Sequence, residues 1–315
     1  MEIFDLRHFN ANDLRPLLAD EAEQWLEKLD WDYGTSSEMI LRYVGARILP
    51  GYVAVERGRI RGYCFFVYEG AKGVIGDIYV DAEGLDGERR WQVERELLEH
   101  AIETLQQSPG IHRIETQLLL RKTGEAVAPF LASGFRRYPR IFMSLPLAEW
   151  PHPVRELSPE VEIRPWNELD YQPAAALIAE AYHGHVDSDI NDQYRSVAGS
   201  LRFLNNIVRF PGCGLFDAQA SFVAVHTPAR RHIGVILCSR VRPDVGHVTQ
   251  VCLQPQFRDR GLGERLIHAC HDAVRKRGGR ALSLTVTEAN ARAVALYRRL
   301  GFETHHIFDA FVWEG

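Results

Sequence analysis

The chain is expected to fold as two consecutive α+β units, each a mixed, mostly antiparallel sheet flanked by helices. Three observations predict this. The length of 315 residues exceeds what one domain of roughly 100–200 residues usually holds. Three alternating apolar runs occur twice, first at 51–56, 60–68 and 73–80 and again at 221–226, 232–238 and 246–253, as antiparallel strands joined by short turns would read. A tail segment also recurs at a constant offset. Glu125 to Phe130 followed by Ser133-Gly134-Phe135 mirrors Arg292 to Tyr297 followed by Leu300-Gly301-Phe302, and both Phe130/Tyr297 and Phe135/Phe302 are 167 positions apart. A period of that size marks a duplicated domain, not a solenoid repeat.

Each strand set leads into an amphipathic helix. One carries Leu97, Leu98, Ala101, Ile102 and Leu105, the other Leu262, Leu266, Ile267, Cys270 and Val274, spacings that lay one apolar stripe on a sheet. Between the halves Pro151, Pro153 and Pro159 interrupt regular structure. The expected division is therefore a first domain at 1–148, a linker at 149–160 and a second domain at 161–315.

Composition narrows the function. The formal net charge is −5 and no long Lys/Arg run occurs, so nucleic acid is not the expected partner. No apolar stretch approaches the roughly 18 residues of a membrane helix, and the first residues lack a basic segment followed by an apolar one. Neither a membrane nor a secretory route is expected. The five cysteines are odd in number and show no Cys-x-x-Cys spacing, as in reduced core residues of a cytoplasmic protein. The 13 histidines form no recognisable ligand array, so no metal is expected.

The chemistry concentrates late in the chain. An apolar strand, His247 to Leu253, runs into Arg258-Asp259-Arg260-Gly261-Leu262-Gly263 and then a helix. Glycines let a backbone approach a phosphate, and a helix start offers unpaired N–H groups at its positive end. Farther on, Asn290 and Tyr297 stand seven residues apart on a following helix. The loop and this pair, in this order, resemble the GNAT N-acetyltransferase superfamily, and the two-domain length resembles tandem members of it.

That resemblance implies two tandem GNAT-like domains and acetyl-CoA as acyl donor, with an amine of a small molecule or peptide as acceptor. It assigns the amides of Arg260 through Gly263 to pyrophosphate, with Arg258 and Arg260 supplying charge and Asp259 lying within the loop. Backbone of Val251, Cys252 and Leu253 would pair with the pantetheine arm, and Asn290 would bond its amide or cap the helix. Tyr297 is the candidate acid that protonates the departing thiolate. His247 is the candidate base, with Thr249 expected on the same face two residues along. The polar segment containing His185, Asp187 and Asp189 would wall the acceptor pocket.

Two rival readings accompany this one: a malonyl-CoA decarboxylase using His247 and Thr249, and a CoA-responsive binding protein without catalysis. The first domain lacks the apparatus. Its corresponding loop carries Asp81, Glu83, Asp86 and Glu88 and has no Gly-x-Gly, while Phe130 stands at the Tyr297 position and Thr123 at the Asn290 position. Acidic side chains would repel a pyrophosphate there. This domain is expected to pack, wall the acceptor cleft or form a homodimer.

Overall fold

The computed structural model describes residues 1–147, 150, 156–209 and 212–315. They divide into two compact units, Met1–Arg140 with Ile307–Gly315, and Ile141–His306. Half of the expected 149–160 linker lies outside the described residues.

The first unit runs β1 (Glu2–Asp5), α1 (Ala11–Leu29), α2 (Gly34–Gly45), β2 (Gly51–Glu56), β3 (Arg59–Glu69), β4 (Lys72–Val80), α3 (Gly87–Gln107), β5 (Arg113–Gln117) and α4 (Val127–Ala132), and β6 (Arg136–Pro146) starts in it. Strands β1 to β4 form an antiparallel meander, and β4 pairs β5 in parallel. The next strand of this sheet is the last of the chain, β13 (Glu303–Glu314), whose Ala310 to Glu314 pair antiparallel with Gln117 to Arg113. The units thus follow strand pairing and not chain order, which is why the observed division departs from the expected 1–148 and 161–315. Phe311 is fully buried and stacks on Phe130 at 4.2 Å. Asp309, also buried, accepts from the Thr123 hydroxyl at 2.9 Å and the Gly124 amide at 2.8 Å.

The second unit contains the rest of β6 and then β7 (Val161–Pro165), α5 (Tyr171–Ala181), α6 (Val186–Ile190), α7 (Val197–Arg209), the short β8 (Leu215–Phe216), β9 (Phe222–His226), β10 (Arg231–Arg242), β11 (Val245–Leu253), α8 (Leu262–Lys276), β12 (Ala281–Thr287) and α9 (Ala291–Arg299). Its sheet has the order β6-β12-β11-β10-β9-β7, with β11 and β12 parallel. The predicted stripe of α8 is buried throughout, as is that of α3 in the first unit. The duplicated tail folds alike in both units. Phe135 donates its amide to Phe130 and packs edge-on at 5.2 Å, while Phe302 donates to Tyr297 and packs at 5.7 Å. Gly134 and Gly301 have φ of 81° and 92°, a turn that only glycine adopts freely.

The first unit also buries a carboxyl pair, Glu21 of α1 and Asp77 of β4. Tyr63 donates to Glu21 at 2.5 Å, and Tyr33 donates to Asp77 at 2.9 Å. Burial, then the neighbouring Asp77 charge, pushes the Glu21 carboxyl well above the usual carboxylate range, and burial also raises Asp77. Two carboxyls in so dry a place share a proton that the unfolded chain would release.

Two outcomes follow. Deleting residues 307–315 leaves β5 without its neighbour and removes Phe311 from the core. Amide exchange in β5 and α4 should then accelerate before that in β10 and β11, and Phe311→Ala alone should cost about 3–5 kcal/mol. Because folded Glu21 holds its proton above the unfolded value, this group stabilises fully only below about pH 4.3, and its contribution falls as pH rises toward the folded value. Glu21→Gln should remove that decline, which is at most about 1.4 kcal/mol per pH unit, in melts followed from pH 5 to 8. An unchanged slope would show that the pair does not titrate as described.

Candidate active site

Strand β11 carries one residue more than β10 can match. Leu237 faces Gln250 and Cys238 faces Val248, so Thr249 is the extra residue of a β-bulge. Its hydroxyl turns to the Leu237 carbonyl at 3.2 Å. Past the bulge β11 parts from its other neighbour. Parallel pairing with β12 covers only Val245 to Val248 against Ala281 to Leu284, although β11 continues to Leu253 and β12 to Thr287. Val251, Cys252 and Leu253 therefore pair with β10 on one side and leave a backbone edge on the other.

The loop follows directly. Pro255–Phe257 forms one 3₁₀ turn, Arg258 is extended, and Asp259 and Gly261 have φ of 62° and 78°. Gly261 is the N-cap of α8 and brings no side-chain hydrogen bond to it. The first helical bond from this end is Arg265 N–H to the Gly261 carbonyl at 3.1 Å. That leaves the amides of Leu262, Gly263 and Glu264 without helical partners at the positive end of a four-turn helix, the arrangement an anion requires. The first unit answers the same need internally. Asp86 caps α3 and accepts the Arg89 amide at 2.8 Å, so the chain's own carboxylate occupies the anion position.

The loop arginines sit differently from one another. Arg258 donates to the Ala181 carbonyl at 2.7 Å and so ties the loop to the end of α5. Arg260 lies 5.5 Å from the Phe257 ring centroid, and exposed Asp259 pairs with Arg292 at 2.6 Å. Asn290 caps α9, its side-chain oxygen accepting the Ala293 amide at 3.2 Å.

Tyr297 of α9 is buried at 7% exposure. Burial pushes its phenol above the usual tyrosine range, and the nearby Asp187 and Cys252 push it further. The hydroxyl therefore holds its proton near neutral pH and can give one to a stronger base. Cys252 is likewise pushed up to about 12 by burial, so its thiol is no ready nucleophile.

Asp187 accepts a hydrogen bond from the Thr287 hydroxyl, and its second oxygen stands 3.5 Å from His185 Nδ1. That nitrogen also accepts the Asp187 amide at 3.1 Å, which fixes the ring proton on Nε2. Asp189 turns outward and meets Arg195 at 3.8 Å.

His247 is a strand residue, buried rather than lying in a turn. Its Nδ1 is 2.9 Å from the Ser283 hydroxyl and its ring stacks on Phe142 at 5.7 Å. Thr249 was expected to present its hydroxyl beside His247, but the bulge turns it back onto β10. Among the described residues no group of three or more His, Cys, Asp or Glu side chains could hold a metal ion.

Residues 161–302 match the profile of the acetyltransferase (GNAT) family. The second unit thus matches the GNAT acetyltransferase family over most of its length. An uncharacterized N-acetyltransferase of Methanocaldococcus jannaschii is 36% identical over 69 residues, 22% of this chain and 30% of that relative. The ribosomal protein bS18-alanine N-acetyltransferase of Escherichia coli K12 is 37% identical over 59 residues, 19% of this chain and 40% of the relative. The chain thus spans less than half the length of these curated relatives. A GCN5-related N-acetyltransferase structure from Sphaerobacter thermophilus aligns over 99% of this chain and 95% of its own, with a TM-score of 0.64 at 18% identity. A tandem GNAT protein from the clavulanic acid biosynthesis pathway aligns over 99% and 98%, with a TM-score of 0.60 at 17% identity. The GNAT fold accordingly extends over both units.

Three residues beside these candidates escaped the sequence reading: Tyr182, Gln250 and Thr287. Tyr182 donates to the Gln250 Oε1 at 2.7 Å and stacks on Tyr194 at 4.5 Å. Its phenol is held well above the usual range by burial, then by Tyr194, Asp187, Cys252 and Tyr297. A lone glutamine in the apolar run Val-Thr-Gln-Val-Cys-Leu was the available signal.

Proposed function

We propose that the second unit transfers an acyl group, acetyl in the first instance, from acyl-CoA to a primary amine of a small molecule or peptide. The observation that carries this is the succession of a parted strand edge, an uncapped helix start and a buried phenol, all within Val251 to Tyr297, with Asp187 near that phenol. The free amides of Leu262, Gly263 and Glu264 receive the pyrophosphate, and the Val251 to Leu253 edge receives the pantetheine amides. Relatives named for alanine and N-alpha acetylation support an amine acceptor.

In this reading the amine nitrogen bonds to the thioester carbon while the carbon–sulfur bond breaks. Strand amides beside the bulge hold the oxyanion. The amine loses one proton to the Asp187 carboxylate, directly or through water, and Tyr297 gives one to the thiolate. Amide and free thiol result. His247, held by Ser283 and Phe142, supports the strand from behind in place of the base role expected of it. The Tyr297 phenol holds its proton near neutral pH, as the acid role requires.

Tyr297→Phe keeps the ring packed on Phe302. It should lower kcat about 10²–10³-fold and leave the Kd for CoA within about threefold. Loss of CoA binding instead would make Tyr297 a packing residue. Asp187→Asn should lower kcat/KM, and His247→Ala should lower it less. Calorimetry should give one CoA per chain, and two equivalent sites would overturn the reading of the self-capped first unit.

A further inference from the structure

Gln250 is 4% exposed, and its two polar ends have different fates. Oε1 takes the Tyr182 hydroxyl, whereas Nε2 has no hydrogen-bond partner among the described residues. A buried N–H₂ fork left open is costly, and native interiors rarely tolerate one. The fork is oriented as well, because Tyr182 holds the other end of the amide.

The first unit supplies the contrast. Its β4 has the same bulge, with Phe65 facing Asp77, Phe66 facing Ile75 and Gly76 as the extra residue. Asp77 thus holds the position of Gln250, and it too receives a tyrosine hydroxyl, from Tyr33. Its oxygens are satisfied within the chain, Oδ2 by Tyr33 and Oδ1 by the Ile78 amide at 2.8 Å. The copy that caps its own helix start also closes this position. The copy with the open helix start leaves a donor open.

We infer that Gln250 is a specificity-determining residue that selects acceptors carrying a carbonyl or carboxylate oxygen beside the reacting nitrogen, that is, α-aminoacyl groups. The inference rests on the acyl-transfer reading above. Tyr182 bonds Gln250 and packs edge-on against His185 at 5.3 Å, and His185 stands 3.5 Å from Asp187, so the two ends of such an acceptor find complementary groups. Its ammonium meets the Asp187 carboxylate and its oxygen meets Nε2. A simple alkylamine or a polyamine offers the nitrogen alone and leaves the fork unpaired.

The test uses the full chain, acetyl-CoA and three acceptors: an alanyl dipeptide amide, 2-aminobutane and spermidine. The wild type should favour the dipeptide amide over 2-aminobutane by about tenfold to a hundredfold in kcat/KM, because a site built to hydrogen-bond an oxygen rejects an analogue lacking it. Gln250→Leu should bring that ratio within threefold while the Kd for CoA stays put. Gln250→Glu, which can still accept from Tyr182 but donates nothing, should do the same and covers the case in which the leucine variant fails to fold.

An unchanged ratio in both variants would leave Gln250 a structural glutamine only. A weakened Kd for CoA would assign the fork to the donor, and preference for spermidine would make the pocket a polyamine site. Each of these overturns the inference. If the wild type acetylates no amine, acyl transfer itself fails, and calorimetry with the dipeptide amide in the presence of CoA decides the rest. Binding that Gln250→Leu abolishes would sustain the recognition role, and absence of binding would end it.

Discussion

A single surplus residue, Thr249, shapes the second unit's site. A ladder can absorb an extra residue only by bending the strand and increasing its twist. Here the bend moves the end of β11 away from β12 while β10 keeps hold of its other edge. The free edge, the position of the following loop and the inward aim of Gln250 all descend from that one insertion. Without it β11 and β12 would zip together to their ends, and no groove would lead to the start of α8.

Electrostatics at the two equivalent helix starts then separates the units. An uncapped N-terminus is an unmet demand for negative charge, and it is met either from within or from solution. Asp86 meets it within the first unit, and Arg59 and Arg61 further neutralise the acidic loop by pairing with Glu83 and Asp81. Gly261 contributes no side chain, and Arg258, which might have folded over the gap, is drawn instead to Ala181. The arginine nearest the expected phosphate thus fixes the loop's position and leaves the anion to backbone amides.

What could be read from the sequence was local. Alternating strands, helix stripes, the glycine loop and the repeated tail each follow from spacing within a few turns of chain, and the structure contains all of them. What escaped depends on register and on distant partners. Thr249 becomes a bulge only by mismatch with β10, and the alternation of its neighbours gave no sign of it. Arg258 finds its partner 77 residues earlier, and Tyr182 meets Gln250 across 68. The last strand alternates equally well beside any neighbour, so its pairing with β5 could not be inferred from its residues.

The two units test one another position by position. Phe130 and Tyr297 occupy the same helix face, pack on the same following phenylalanine and accept the same backbone amide, so the ring is a requirement of the fold and the hydroxyl is not. Asp86 against Gly261 and Asp77 against Gln250 differ in the same sense. In each case the first unit satisfies its polar groups from its own chain, and the second leaves a donor without a partner. Buried donors without partners are expensive, and chance drift would place them anywhere in the fold. At these two positions, on β11 and at the start of α8, a ligand would complete the second unit where the first completes itself.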